Sequence, residues 1–110
     1  MSLKRKEREA IQLLADGLKR HFGNELFRLL LFGSKARGDD SPDSDVDVLV
    51  VLSNRANDKE RTAVSDIVYG VLEACGVFIQ TVVISKAQFE HPTGQLRWLT
   101  SFAQEEGAVL

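Results

Sequence analysis

The sequence predicts a small α/β (α+β) domain, a mixed β-sheet with its helices packed mainly on one face. Three observations lead there. Short apolar runs at 26–33, 45–52 and 77–85 have the length of strands, two longer stretches repeat apolar residues at helical spacing, and helix and strand alternate along the chain. With 110 residues the chain holds one core and reads as a single domain, 1–110, because a second core would need roughly 50 residues more.

The elements follow in order. From Leu3 to Phe22, the residues Ile11, Leu14, Ala15, Leu18 and Phe22 recur three and four apart, which places them on one helix face, and Gly23-Asn24 ends the helix. Leu26 to Gly33, "LFRLLLFG", is short, apolar and closed by glycine, as a buried strand is. "GSKARGDDSPDS" then has the Gly, Asp, Ser and Pro content of a turn region, with one short helical turn expected from Lys35 to Arg37, capped by Ser34. The valine-rich "DVDVLVVL", Asp45 to Leu52, is a second strand. Asp58 to Cys75 is a second amphipathic helix with Val64, Ile67, Val68, Val71, Leu72 and Cys75 inward, and Gly76 is its stop. "VFIQTVVIS", Val77 to Ser85, is a third strand, and "HPTG" introduces a final helix carrying Leu96, Leu99 and Phe102. The first two strands can pair in either sense through their loop. The segment between Leu52 and Gly76 is long enough for a crossover helix over one sheet face.

Composition narrows the function classes. With 44% hydrophobic and 27% charged residues the chain is far from the disordered regime. Its net charge of −2 offers no general attraction to nucleic acid or to an anionic membrane, so no direct nucleic-acid binding is expected. The basic "KRKER" at Lys4 to Arg8 is interleaved with Glu7 and Glu9 and reads as a solvated helix face. No apolar run approaches the ~20 residues of a membrane span, and the N-terminus lacks a hydrophobic signal core. The single Cys75 has no internal disulfide partner, so the cytoplasm is the expected compartment.

The chemistry lies between the first two strands. Alternate strand residues share a face, so Asp45 and Asp47 present carboxylates side by side, roughly 6.6 Å apart at their backbones. Such a pair suits a hard divalent cation, Mg²⁺ in particular, which takes oxygen ligands and completes its shell with phosphate oxygens. Left without a cation, the like charges would repel and push one carboxylate toward its protonated form, a conflict that a bound cation removes; the alternative is that the two aspartates are an ordinary solvated strand end. Gly33 at a strand end lets a ligand approach the backbone, a following helical turn would aim free N–H groups at a phosphate, and Ser34 adds a hydroxyl. Arg37 and Lys35 can neutralise phosphate charge. A phosphate cradle beside a metal pair describes a site for a nucleoside triphosphate and for nucleotidyl or phosphoryl transfer. Asp39, Asp40 and Asp43 read as solvated loop residues, and neither His21 nor His91 is placed by a motif.

"GSKARGDDSPDSDVDVLVVL" resembles the signature of the minimal nucleotidyltransferase domains of the DNA-polymerase-β-like superfamily: Gly-Ser-x-Ala-Arg-Gly, a short acidic loop, Ser-Asp-x-Asp and an apolar strand. Gly33, Ser34, Ala36, Arg37, Gly38, Ser44, Asp45 and Asp47 all stand where that pattern asks. The resemblance implies the nucleotidyltransferase fold, ATP as nucleotide substrate and Mg²⁺ as cofactor. It assigns Asp45 and Asp47 as metal-binding and catalytic residues, and Gly33, Ser34, Arg37 and Ser44 as the nucleotide-binding set. It further implies a partner, a helical HEPN-family toxin that such a domain binds and modifies with AMP, which would make this chain an antitoxin.

One position departs from the pattern. Active members place a third acidic residue on a later strand, facing the metal pair, and in "VFIQTVVIS" the alignment puts Gln80 there. An amide oxygen can ligate a metal but cannot take a proton, and general-base help is worth roughly 10²–10⁴-fold where it is used. Glu73 and Glu90 could compensate only if the fold brought them round. The alternative to an active transferase is therefore a degenerate module that binds nucleotide or a partner. The chain is also too short for a separate acceptor domain, so the acceptor comes from a protein partner or from a second subunit of a homo-oligomer. Trp98, Leu99 and Phe102 form either a contact surface or an apolar cap on the sheet.

Overall fold

The computed structural model describes residues 4–32, 46–106 and 108–109. The first periodic stretch forms α1, Arg5–Phe22, and every residue of its expected stripe is buried, together with Ala10. At its start the Glu7 carboxylate accepts the Lys4 backbone N–H at 2.8 Å, satisfying one donor outside the helical ladder. Glu7 is buried while Lys4, Arg5, Lys6 and Arg8 are exposed, so the basic cluster is solvated and the acid is the residue turned inward.

A 3₁₀ turn at Gly23–Glu25 leads into β1, Leu26–Phe32. The next strand, β2, is Val46–Leu52, and α2 is Asp58–Cys75. Gly76 ends α2 in the left-handed region at φ 71° and ψ 17°, with its N–H donating to Leu72 O at 2.8 Å. That conformation costs glycine nothing and an L-residue about 1–2 kcal/mol. After it come β3, Ile79–Ser85, two helices, α3 at Lys86–Glu90 and α4 at Gln95–Glu106, and a short β4, Ala108–Val109.

The sheet order is β3-β2-β1-β4. β1 and β2 pair antiparallel, β2 and β3 pair parallel, and β4 lies antiparallel to β1, so the sheet is mixed. The sense of the β1–β2 pair, left open by the sequence, is thereby settled. Central β2 explains its valine run: Val46, Val48, Val50 and Leu52 face α1 and α2, whereas Leu49 and Val51 face a second apolar cluster with Leu30, Ile84 and Phe89. A strand covered on both faces has no polar side to present and so reads as a continuous apolar run. The two 18-residue helices share one face, and Leu96 and Leu99 of α4 pack with the cluster on the other. Phe27 closes that cluster edge-on to Phe89, with ring centroids 6.4 Å apart, beneath the cations of Arg28 and Lys86.

Two elements go beyond the sequence reading. Ser85 ends β3 and caps α3, its hydroxyl accepting the Gln88 N–H at 3.2 Å while the Gln88 amide oxygen accepts the Ser85 N–H at 3.0 Å. This is a reciprocal capping box, Ser-x-x-Gln, contained in "SKAQ". β4 adds a fourth strand through Leu30↔Val109 and Leu31↔Ala108. The helical turn expected at Lys35 to Arg37 lies outside the described residues.

Candidate functional site

Asp47 breaks the apolar run of β2 at its second residue. It is half-buried, between the buried Val46 and Val48, and the antiparallel register sets Phe32 directly opposite it on β1. The parallel register sets Gln80 beside it on β3. Register partners share a sheet face, so Asp47 and Gln80 point the same way, on strands ~4.8 Å apart. The position that the sequence pattern reserves for a third acid is thus held by an amide in line with Asp47. The connection from Phe32 to Val46 begins and ends at this same end of the sheet, next to the Phe32–Asp47 pair.

A cavity of about 560 Å³ opens here. Asp47 and Gln80 line it from the sheet, Phe78 from the residue before β3, and Ser65 and Tyr69 from α2. Its size lies within the ~300–1,000 Å³ range of small-molecule sites. From the sheet, the Asp47 carboxylate and the Gln80 amide beside it are the polar groups of this lining that share a face. A carboxylate oxygen is a hard donor, of the kind a cation such as Mg²⁺ takes. Among the described residues no three His, Cys, Asp or Glu side chains come together as a metal cluster.

Of the residues singled out from the sequence, Asp47 and Gln80 are brought together. Gly33, Ser34, Arg37, Ser44 and Asp45 lie outside the described residues. Glu73 and Glu90 are exposed on helices, and neither lines the cavity at Asp47. Leu99 joins the second cluster and so caps the sheet, whereas Trp98 is 70% exposed, and the Phe102 side chain lies outside the described residues. Tyr69 and Phe78 were not foreseen. Tyr69 stands off the buried stripe of α2, one position past Val68, and Phe78 precedes β3; a large ring at a position that should be solvated is the signal that marks them.

A family model described as nucleotidyltransferase domain matches residues 11–104. A Methanocaldococcus jannaschii protein, provisionally named a protein adenylyltransferase, is 34% identical over 107 residues, which span 94% of this chain and 97% of that protein. The crystal structure of a provisionally named nucleotidyltransferase from Sulfolobus solfataricus superposes with a TM-score of 0.55 at 20% identity, covering 98% of this chain and 87% of that one. A mutant toxin–antitoxin MntA-HpeT structure superposes with a TM-score of 0.60 at 20% identity, covering 99% of this chain and 72% of that one. A toxin–antitoxin structure with AMP-PNP gives 0.59 at 17% identity, covering 96% and 72%. These structural likenesses show the fold, a mixed sheet with α1 and α2 on one face. With the match over residues 11–104 and the relative at 34% identity, they lead to one assignment: the chain belongs to the nucleotidyltransferase domain family.

Proposed function

We propose that the chain is an adenylyltransferase that binds ATP with Mg²⁺ and transfers AMP to a protein partner, a HEPN-type toxin, in the role of an antitoxin. The observation that carries the reading is Asp47. A half-buried carboxylate on the central strand lines a cavity of small-molecule size, at the end of the sheet from which the segment with "GSKARGDDSPDSD" departs. In this reading Asp45 and Asp47 hold the cation, Gly33 and Ser34 take the triphosphate, and Arg37 and Ser44 complete the nucleotide site. When bound, Mg²⁺ neutralises and orients the phosphates. The acceptor oxygen gives up its proton to solvent and forms a bond to the α-phosphorus, the α–β phosphoanhydride breaks, and pyrophosphate leaves. Arg37 offsets charge on the phosphates, and Asp47 is held in place by the two strands that flank it.

In this reading the acceptor is a protein partner. The relatives support a protein: one is named for protein adenylylation and others are toxin–antitoxin structures, one with AMP-PNP. Gln80 favours a second reading, a module that binds nucleotide and covers its partner without transfer, because the amide in register with Asp47 cannot accept the acceptor's proton. One experiment separates them. Tagged chain is used to recover its helical partner, and the two are incubated with ATP labelled at the α-phosphate. Label on the partner, lost with Asp47→Asn, is the expected result. Binding of ATP without any label on the partner would replace the transferase by the module.

A further inference from the structure

The cavity beside Asp47 has a second side that the triphosphate chemistry leaves unused. Tyr69 is 58% exposed and Phe78 46% exposed, and both line the same cavity as Asp47. Neither ring belongs to the two core clusters that hold the sheet. Two exposed rings that line one concave surface offer apolar area to a ligand there. Ser65 and Thr81 line the same cavity, so its wall combines aromatic rings with a few polar side chains.

We infer that the wall formed by Tyr69 and Phe78 is the subsite for the base of the nucleotide, a purine that stacks on these rings while its phosphates lie toward Asp47. The inference rests on the proposed nucleotide reading and adds to it the residues that recognise the base. Stacking explains why aromatics are used where a mere cap on the β3 edge would be served by smaller side chains.

The test compares two probes on the full chain by calorimetric titration in Mg²⁺: ATP, and inorganic tripolyphosphate, which has the phosphates without the base. Wild type should bind ATP more tightly than tripolyphosphate. Tyr69→Ala and Phe78→Ala should each weaken ATP by roughly 5- to 100-fold, the usual loss for a base–aromatic stack, and leave tripolyphosphate unchanged. Tyr69→Phe, which keeps the ring face, should bind ATP as wild type does. Neither side chain belongs to the core clusters, so the alanine variants should stay folded, and their melting is measured alongside. Alanine variants that bind ATP like wild type overturn the inference, as does equal binding of the two probes by wild type; in both cases the phosphate site stands. Wild type that binds neither probe overturns the nucleotide reading itself.

Discussion

Gly17 on α1 faces Ile67 on α2, and a methyl group added there probes how closely the two long helices approach. A Cβ at Gly17 would lie 2.9 Å from Ile67 Cγ2, with Cγ1 at 3.9 Å and Cβ at 4.0 Å. Carbon atoms rest at ~3.5–4.0 Å, so a gap of roughly 0.6 Å or more must open. Ile67 yields poorly, since a β-branched side chain in a helix is held mostly to one χ1 rotamer. Overpacking of this kind costs about 1–3 kcal/mol, while Ala gains about 0.8–1.0 kcal/mol over Gly in a helix interior. Gly17→Ala is therefore expected to destabilise by up to ~2 kcal/mol. In an Ile67→Ala background the clashing methyl is gone, and the same substitution should stabilise by about 0.8–1.0 kcal/mol. Urea unfolding of the four proteins gives the coupling as the difference, ~1–3 kcal/mol. If Gly17→Ala stabilises the wild-type background as much as the Ile67→Ala one, the helices do not meet at this point. Their seat under Val46 and Val48, the neighbours of Asp47, would then be misjudged.

Three further substitutions read other parts of the structure. Leu49→Ala removes a fully buried side chain that follows Asp47 on the same face, and should cost about 2–5 kcal/mol by chemical denaturation. A cost under ~1 kcal/mol would mean that the second cluster is not a packed core. Gly76→Ala forces an L-residue to φ 71° and should lose about 1–2 kcal/mol, whereas a neutral result would contradict the left-handed stop of α2. Gln80→Asp sets a like charge beside Asp47 and should destabilise the metal-free protein by about 0.2–1 kcal/mol, with Mg²⁺ restoring the melting temperature. Identical responses of this variant and wild type to Mg²⁺ would remove Gln80 from the metal's neighbourhood.

What could be read ahead of the structure follows the strength of each periodicity. α1 and α2 repeat apolar residues over 18 positions each, long enough for the helical period to stand out, and both form within two residues of the expected bounds. β2 was plain because a strand buried on both faces is continuously apolar. The sense of the β1–β2 pair was not, since a loop as long as 33–45 can join strands in either direction. α3 was hidden by Ser85, which serves as the last residue of β3 and the cap of the next helix, and five residues are too few for an amphipathic period. β4, two residues long, carries no pattern of its own. At the site, Gln80 was set opposite the acidic pair by the family resemblance, and the parallel register does place it beside Asp47. Tyr69 and Phe78 belong to two elements that meet only in three dimensions, so neither stretch of sequence announces the cavity wall they share.

The central claim is that Asp47 belongs to a nucleotide–metal site, and it is tested most directly by titrating ATP with Mg²⁺ into wild type and into Asp47→Asn. Asn keeps the shape of the side chain and removes the charge, so a folded variant should bind at least about tenfold more weakly, a loss of ~1.4 kcal/mol or more. Equal affinity in the two proteins, or no binding by wild type at millimolar ATP, would contradict it.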